Sequence, residues 1–187
     1  MRKQAMLLAL IVVLLPSSAS ADGATFRDPD EQPFCESTGP CPDTDYMDFR
    51  RLTQGHGRTP RVLRHGIRTL ERWKTKRLGG RHGTTIAIDF NTDDDGGTER
   101  GIRIRRKDGE LTARMFRGKY LRKPVDGRIA VWRPDRRSVK VRFHARVLGA
   151  GVDEYRWRVY WWDRGVGCTG SCSTDFAPGR GWFEHVL

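Results

Sequence analysis

The stretch that most constrains the fold is "SVKVRFHARV", residues 138–147. Val139, Val141, Phe143, Ala145 and Val147 alternate there with Lys140, Arg142, His144 and Arg146, a period of two held over nine positions. Successive side chains of a strand point to opposite faces, so the run predicts a sheet with one apolar and one cationic side. The same beat recurs elsewhere. "EYRWRVYWW" sets Tyr155, Trp157, Val159 and Trp161 against Arg156, Arg158, Tyr160 and Trp162, and "GIRIRR" sets Ile102 and Ile104 against Arg103 and Arg105. "RIAVW" and "TTIAIDF" read as further strands, and "RRKDGELTARMF" places Asp108-Gly109 between two strand-like runs, a strong hairpin signal. In "RVLRHGIRTLERWKTKRLGG" the first half alternates, although Ile67, Leu70, Trp73 and Lys74 also fit a helical stripe. The reading is strand through Thr69, with a short helix as its alternative. Seven or eight short strands with turns every 8 to 15 residues predict an all-β fold, an antiparallel β-sandwich or jelly roll.

Before this domain the texture differs. Arg2 and Lys3 precede an apolar run from Ala5 to Leu15, then Pro16 and Ala19-Ser20-Ala21, the layout of a secretory signal peptide. The prediction is cleavage near Ala21 and an exported chain. The apolar run falls short of the roughly 20 residues a spanning helix needs, and no later segment reaches that length, so no transmembrane segment is expected. Residues 22–45, rich in Asp, Glu, Pro, Gly and Thr, read as an extended acidic arm, and residues 46–187 as the sandwich. Four cysteines in an exported chain are expected to be oxidised. They form two local pairs, Cys35 with Cys41 and Cys168 with Cys172, each spanning turn-forming residues. Local pairing, which staples the arm, is the expected connectivity; a zinc site built from both pairs is the rival.

The chain carries 35 Lys and Arg against 23 Asp and Glu, a formal charge of +12. Without the first 21 residues, 33 basic and 23 acidic remain, or +10. Such a balance favours acidic partners but does not bear on the fold. The alternation sends Lys140, Arg142, Arg156 and Arg158 to solvated faces. Grouped, they would form a surface for a polyanion: nucleic acid, an anionic cell-wall polysaccharide or lipopolysaccharide. Dispersed, they are the solvated face of an arginine-rich protein. Tyr160 and Trp162 point the same way as Arg156 and Arg158, and exposed rings beside guanidinium groups stack sugars or bases. Tyr155, Trp157 and Trp161 belong to the core.

Between two strands lies "NTDDDGG". Asn91, Asp93 and Asp95 stand two apart and Gly96 takes the bend, as in oxygen-ligand calcium loops, with Asp89 and Glu99 as further candidates. Ile102 occupies the twelfth position and the flanks are strands, so this is no EF-hand. The competing reading is a polar hairpin loop, its charge balanced by Arg100, Arg103 and Arg105. Catalysis finds little support. His56, His65, His82, His144 and His185 show no metal-protease or nucleophile-elbow spacing. His65 shares a face with Leu63 and Ile67, which predicts a satisfied, partly buried imidazole. A small secreted hydrolase of nuclease type, with a histidine and a carboxylate joined by folding, and an interaction protein without a small ligand are the alternatives to a binding protein.

The order of strand, "DFNTD" turn and strand, followed by a tryptophan-rich strand, a C-x3-C turn and "DFAPGRGWFEHVL", resembles uncharacterised secreted bacterial β-sandwich domains, loosely similar to jelly-roll carbohydrate-binding modules. The resemblance covers residues 46–187. It implies a non-catalytic sandwich that binds a polymer, in some cases with a structural calcium, and it carries over no sugar-binding residue.

Overall fold

The computed structural model of the chain describes residues 23–28, 47–79, 83–118, 120–162, 175–179 and 181–187. They form two antiparallel sheets packed face to face, with no α-helix among the described residues. One sheet runs in the order β1 (Ala24–Arg27), β2 (Phe49–His56), β3 (Val62–Thr69), β9 (Ser138–His144), β8 (Ala130–Trp132). The other runs β11 (Phe176–Ala177), β10 (Glu154–Trp162), β4 (Thr85–Asn91), β5 (Arg100–Lys107), β6 (Glu110–Arg117), β7 (Lys123–Pro124). Strand β12 (Phe183–Val186) shares the free edge of β10 with β11. No helix among the described residues is long and apolar enough to cross a membrane.

The two-residue beat explains what faces inward. Val139, Val141 and Phe143 of β9 meet Ile67, His65 and Leu63 of β3 in register, and Tyr155, Trp157, Val159 and Trp161 of β10 are all buried. Strand β4 is buried along its whole length, because Ile86, Ile88 and Phe90 enter the core while side chains of β5 and β10 cover its outer face. The β5–β6 hairpin turns at Asp108 and Gly109, both at positive φ, as the dipeptide predicts. Strand β3 runs through Thr69, and the helical stripe beyond it comes to a single 3-10 turn, Thr75–Arg77.

Two boundaries differ from expectation. The alternation of 138–147 breaks at His144, whose ring accepts the Arg146 N–H and caps a 3-10 turn over Ala145–Val147. Ala145 and Val147 stay buried, so the apolar beat outlasts the strand. The second lies in the acidic arm, where residues 24–27 pair with β2 from Ala24↔Gln54 to Arg27↔Arg51. Phe26 anchors this strand, with its ring 4.2 Å from that of Phe183 and 5.9 Å from that of Trp157. The sandwich therefore takes its first edge from the arm. The segment read as a signal peptide and all four cysteines lie outside the described residues.

Polar groups also tie the sheets together. The Trp157 indole N–H donates to Gln54 Oε1, and Gln54 Nε2 donates to the carbonyl of Glu184 at 2.8 Å. The Phe49 N–H donates to Asp175 Oδ2 at 2.6 Å. The first two bonds join one sheet to the other, the third ties β2 to the residue before β11, and each satisfies a buried polar group.

Candidate polyanion interface

The outer face of the first sheet follows from its register. Arg27, Arg51 and Arg68 lie side by side on β1, β2 and β3, and Arg64 lies beside Arg142. Between these rows runs a third, Thr25, Thr53, Gly66, Lys140 and Trp132. Neighbouring strands are about 4.8 Å apart, so Arg27–Arg51, Arg51–Arg68 and Arg64–Arg142 are like charges directly opposite one another, an unfavourable arrangement in a sheet. No acidic side chain stands in these rows. Arg68 is ion-paired to Asp135 at 2.9 Å; the other five basic side chains of the rows make no ion pair among the described residues. Arg27, Arg50, Arg51 and Arg68 line a concavity of about 680 Å³ with Asp28 as its one acidic member. Gly66 leaves the centre of the face flat: a Cβ there would stand 2.5 Å from Thr53 Oγ1 and 3.5 Å from Lys140 Cγ.

The outer face of the second sheet has a different chemistry. Phe176, Tyr160 and Trp162 form an aromatic tier, with Tyr160 stacked 5.2 Å from Phe176 and 5.6 Å from Trp162. Ala87 on β4 faces Tyr160 and Arg103, and its small side chain lets Arg103 fold across the strand. The Arg103 guanidinium lies 5.6 Å from the Tyr160 ring and 5.2 Å from Trp162, while its Nη1 donates to Asp89 at 2.8 Å. Asp89 is buried, and Arg158 Nη2 approaches its other oxygen at 3.7 Å. Burial, reinforced by Asp89, pushes the Tyr160 hydroxyl up to about 12. Arg158 also lies 4.4 Å over Trp182, and Arg156 pairs with Asp94 and with Glu184.

The residues expected to share one surface are thus divided between two. Tyr160, Trp162, Arg156 and Arg158 lie together on the second sheet, where both arginines are engaged by acids. Lys140 and Arg142 lie on the first sheet, on the opposite side of the sandwich. There they join Arg27, Arg51, Arg64 and Arg68, which alternation alone did not single out. The signal for Arg64 and Arg68 was present in "LRHGIRT", where they alternate with Leu63, His65 and Ile67.

In the acidic loop Asn91 is turned inward. Its Oδ1 accepts the N–H groups of Asp93 at 3.3 Å and Asp94 at 2.8 Å. Carboxylate oxygens of Asp93, Asp95 and Glu99 lie within 4.8 Å of one another. Each of the three also accepts a backbone N–H: Asp93 from Asp95, Asp95 from Gly97, Glu99 from Thr92. The loop's internal bonds account for its residues as a polar turn. Its cost falls on Glu99, whose carboxyl is raised above the usual range by partial burial and by Asp93 and Asp95, against the Thr92 bond. A raised carboxyl favours folding while protonated and loses that advantage as pH rises through its folded value. Glu99→Gln is therefore expected to raise the melting temperature slightly at pH 7 and to leave it unchanged at pH 4; thermal melts at both pH values check this.

None of the described histidines bonds to a carboxylate. His56 Nδ1 meets the Pro60 carbonyl at 2.6 Å, His144 caps its turn, and His65 Nε2 meets the Tyr155 hydroxyl at 2.9 Å. His65 is fully buried, beyond the partial burial its pattern predicted, and burial followed by the nearby His185 lowers it to about 3. Compared with family models, curated proteins and solved structures, the chain matches none.

Proposed function

We propose that this is an exported, non-catalytic binding protein whose first sheet docks anionic polymers through the rows Arg27–Arg51–Arg68 and Arg64–Arg142 with Lys140 between them. The observation that carries the reading is the set of like charges placed opposite one another, with Asp135 on Arg68 and Asp28 beside Arg27 and Arg51 as the acids near them among the described residues. An extended anion lying across the strands relieves three unfavourable pairs at once. Guanidinium forks match phosphate, sulfate and carboxylate groups, and the flat strip over Gly66 admits a chain without a cleft. Trp132, more than a third exposed beside Lys140, offers a ring to a sugar or a base. The amino-terminal segment, read as a signal peptide, would bring this face to polymers outside the cytoplasm, and the resemblance to carbohydrate-binding modules favours an acidic polysaccharide.

The test is titration with polygalacturonate, single-stranded DNA and neutral dextran over a salt series. Binding to the acidic polymers is expected to weaken steeply with salt, with dextran silent. In the double variant Arg51→Glu, Arg64→Glu the slope of log affinity against log salt should fall by about two contacts' worth, and affinity by at least tenfold. Salt-independent binding, or a variant that binds like wild type, would refute the assignment. The stronger of the two acidic polymers names the class.

A further inference from the structure

The second sheet holds a separate cavity of about 360 Å³, near the lower end of the size range of small-ligand pockets. Arg103, Arg105, Arg106, Lys107 and Arg114 line it together with Trp162 and Phe116, and no acidic side chain among the described residues does. Arg103 faces Arg114 directly across β5 and β6, yet only Arg103 reaches an acid, Asp89. Arg114 is exposed and has no ion pair among the described residues. Trp162 and Phe116 stand on β10 and β6, with β4 and β5 between them. The cavity is therefore cationic on its floor and aromatic at its sides, and it lies on the opposite face of the sandwich from the arginine rows.

We propose that this cavity binds a small ring-bearing anion, with the ring on Trp162 and the anionic group on Arg114 and its cationic neighbours. A free anion would use only the cations, and a neutral ring would leave Arg114, which has no ion pair among the described residues, without a counter-charge. Only a ligand with both parts uses the whole site. The volume accepts one or two rings. Two sources supply the chemistry, a sugar acid and a nucleoside phosphate.

Calorimetric titration of the full chain with a hexuronate, a nucleoside 5′-monophosphate, the uncharged hexose, the uncharged nucleoside and inorganic phosphate tests it. At least one ring-bearing anion is expected to bind tenfold or more tightly than its uncharged parent and than inorganic phosphate, and the tighter of the two identifies the source. Arg114→Gln, at an exposed position, should weaken that ligand about tenfold, and Trp162→Ala should do the same. The Arg51→Glu, Arg64→Glu variant should bind it unchanged, which separates this site from the polymer face. Equal binding of inorganic phosphate, no binding at millimolar ligand, or an Arg114→Gln variant indistinguishable from wild type overturns the proposal. Should Trp162→Ala fail to fold, Arg114→Gln decides alone.

Discussion

Acidification from pH 6.5 towards pH 3 is expected to strip the fold of stability on the order of 5 kcal/mol through His65 alone. The imidazole is enclosed by Phe90, Phe143, Tyr155 and Trp157, with ring centroids 4.5 to 5.9 Å away and Phe143 stacked parallel to it. Its Nε2 is bonded to the Tyr155 hydroxyl, and its buried Nδ1 has no partner. Nothing there receives a proton well, and the pocket lowers His65 from 6.5 to about 3. Above 6.5 the ring is neutral whether the chain is folded or not, so it adds no pH dependence. Below 6.5 the unfolded chain takes a proton that the core refuses, and stability falls with pH until about 3. His185, held near 4 by burial and by His56, tilts the same way; Glu99, with its raised carboxyl, tilts slightly against it.

The check is a set of urea titrations from pH 7.5 to 3.5 on wild type and on the double variant His65→Phe, Tyr155→Phe. The second substitution removes the hydroxyl that the first would strand, since a buried orphan costs about 1–3 kcal/mol. The variant should match wild type near pH 7.5 to within a couple of kcal/mol and lose much less on acidification. Parallel pH profiles would mean that His65 takes its proton in the folded state after all.

How much of this was legible in the sequence depends on distance along the chain. The strand type of β9 and β10 and the turn at Asp108-Gly109 follow from the side-chain period and from local turn chemistry, which neighbouring residues contain. Partnership does not. Lys140 and Arg156 look alike in their strands, yet β9 pairs with β3 and β10 with β4, each more than 60 residues away, and so the two cations emerge on opposite faces. Strand β1 escapes notice because four residues are too few to display a period, and only the landing of Phe26 on Phe183 and Trp157 reveals it. Ala145 and Val147 keep the strand's apolar rhythm because either conformation can bury them. Asp89 is the hardest case. Its neighbours Asn91, Asp93 and Asp95 advertise an ion-binding turn, while its own role depends on Arg103 and Arg158, which strand pairing brings from two other strands.

Removal of that carboxylate, in Asp89→Ala, is the second large effect expected. Asp89 is 3% exposed, its partner Arg103 retains 12% of its side-chain surface, and Thr98 Oγ1 donates to the acid at 3.4 Å. Without the acid, Arg103 and Arg158 face each other over Ala87 and Tyr160 with no negative charge between them. Breaking one side of a buried pair costs roughly 3–5 kcal/mol because the charge left behind is uncompensated. For a chain of this size that is a fall of about 10 °C or more in melting temperature. Asp89→Asn keeps the shape and one acceptor oxygen and should recover part of the loss. Arg103→Leu alone leaves the acid buried with only the more distant Arg158, so it too should destabilise. Combined as Asp89→Leu, Arg103→Leu, the two changes replace a pair by apolar packing and should be milder than the sum of the single substitutions. Thermal melts of the four variants measure this coupling. Strict additivity would show that the acid and Arg103 act independently, and the aromatic tier above them would then owe its arrangement to stacking alone.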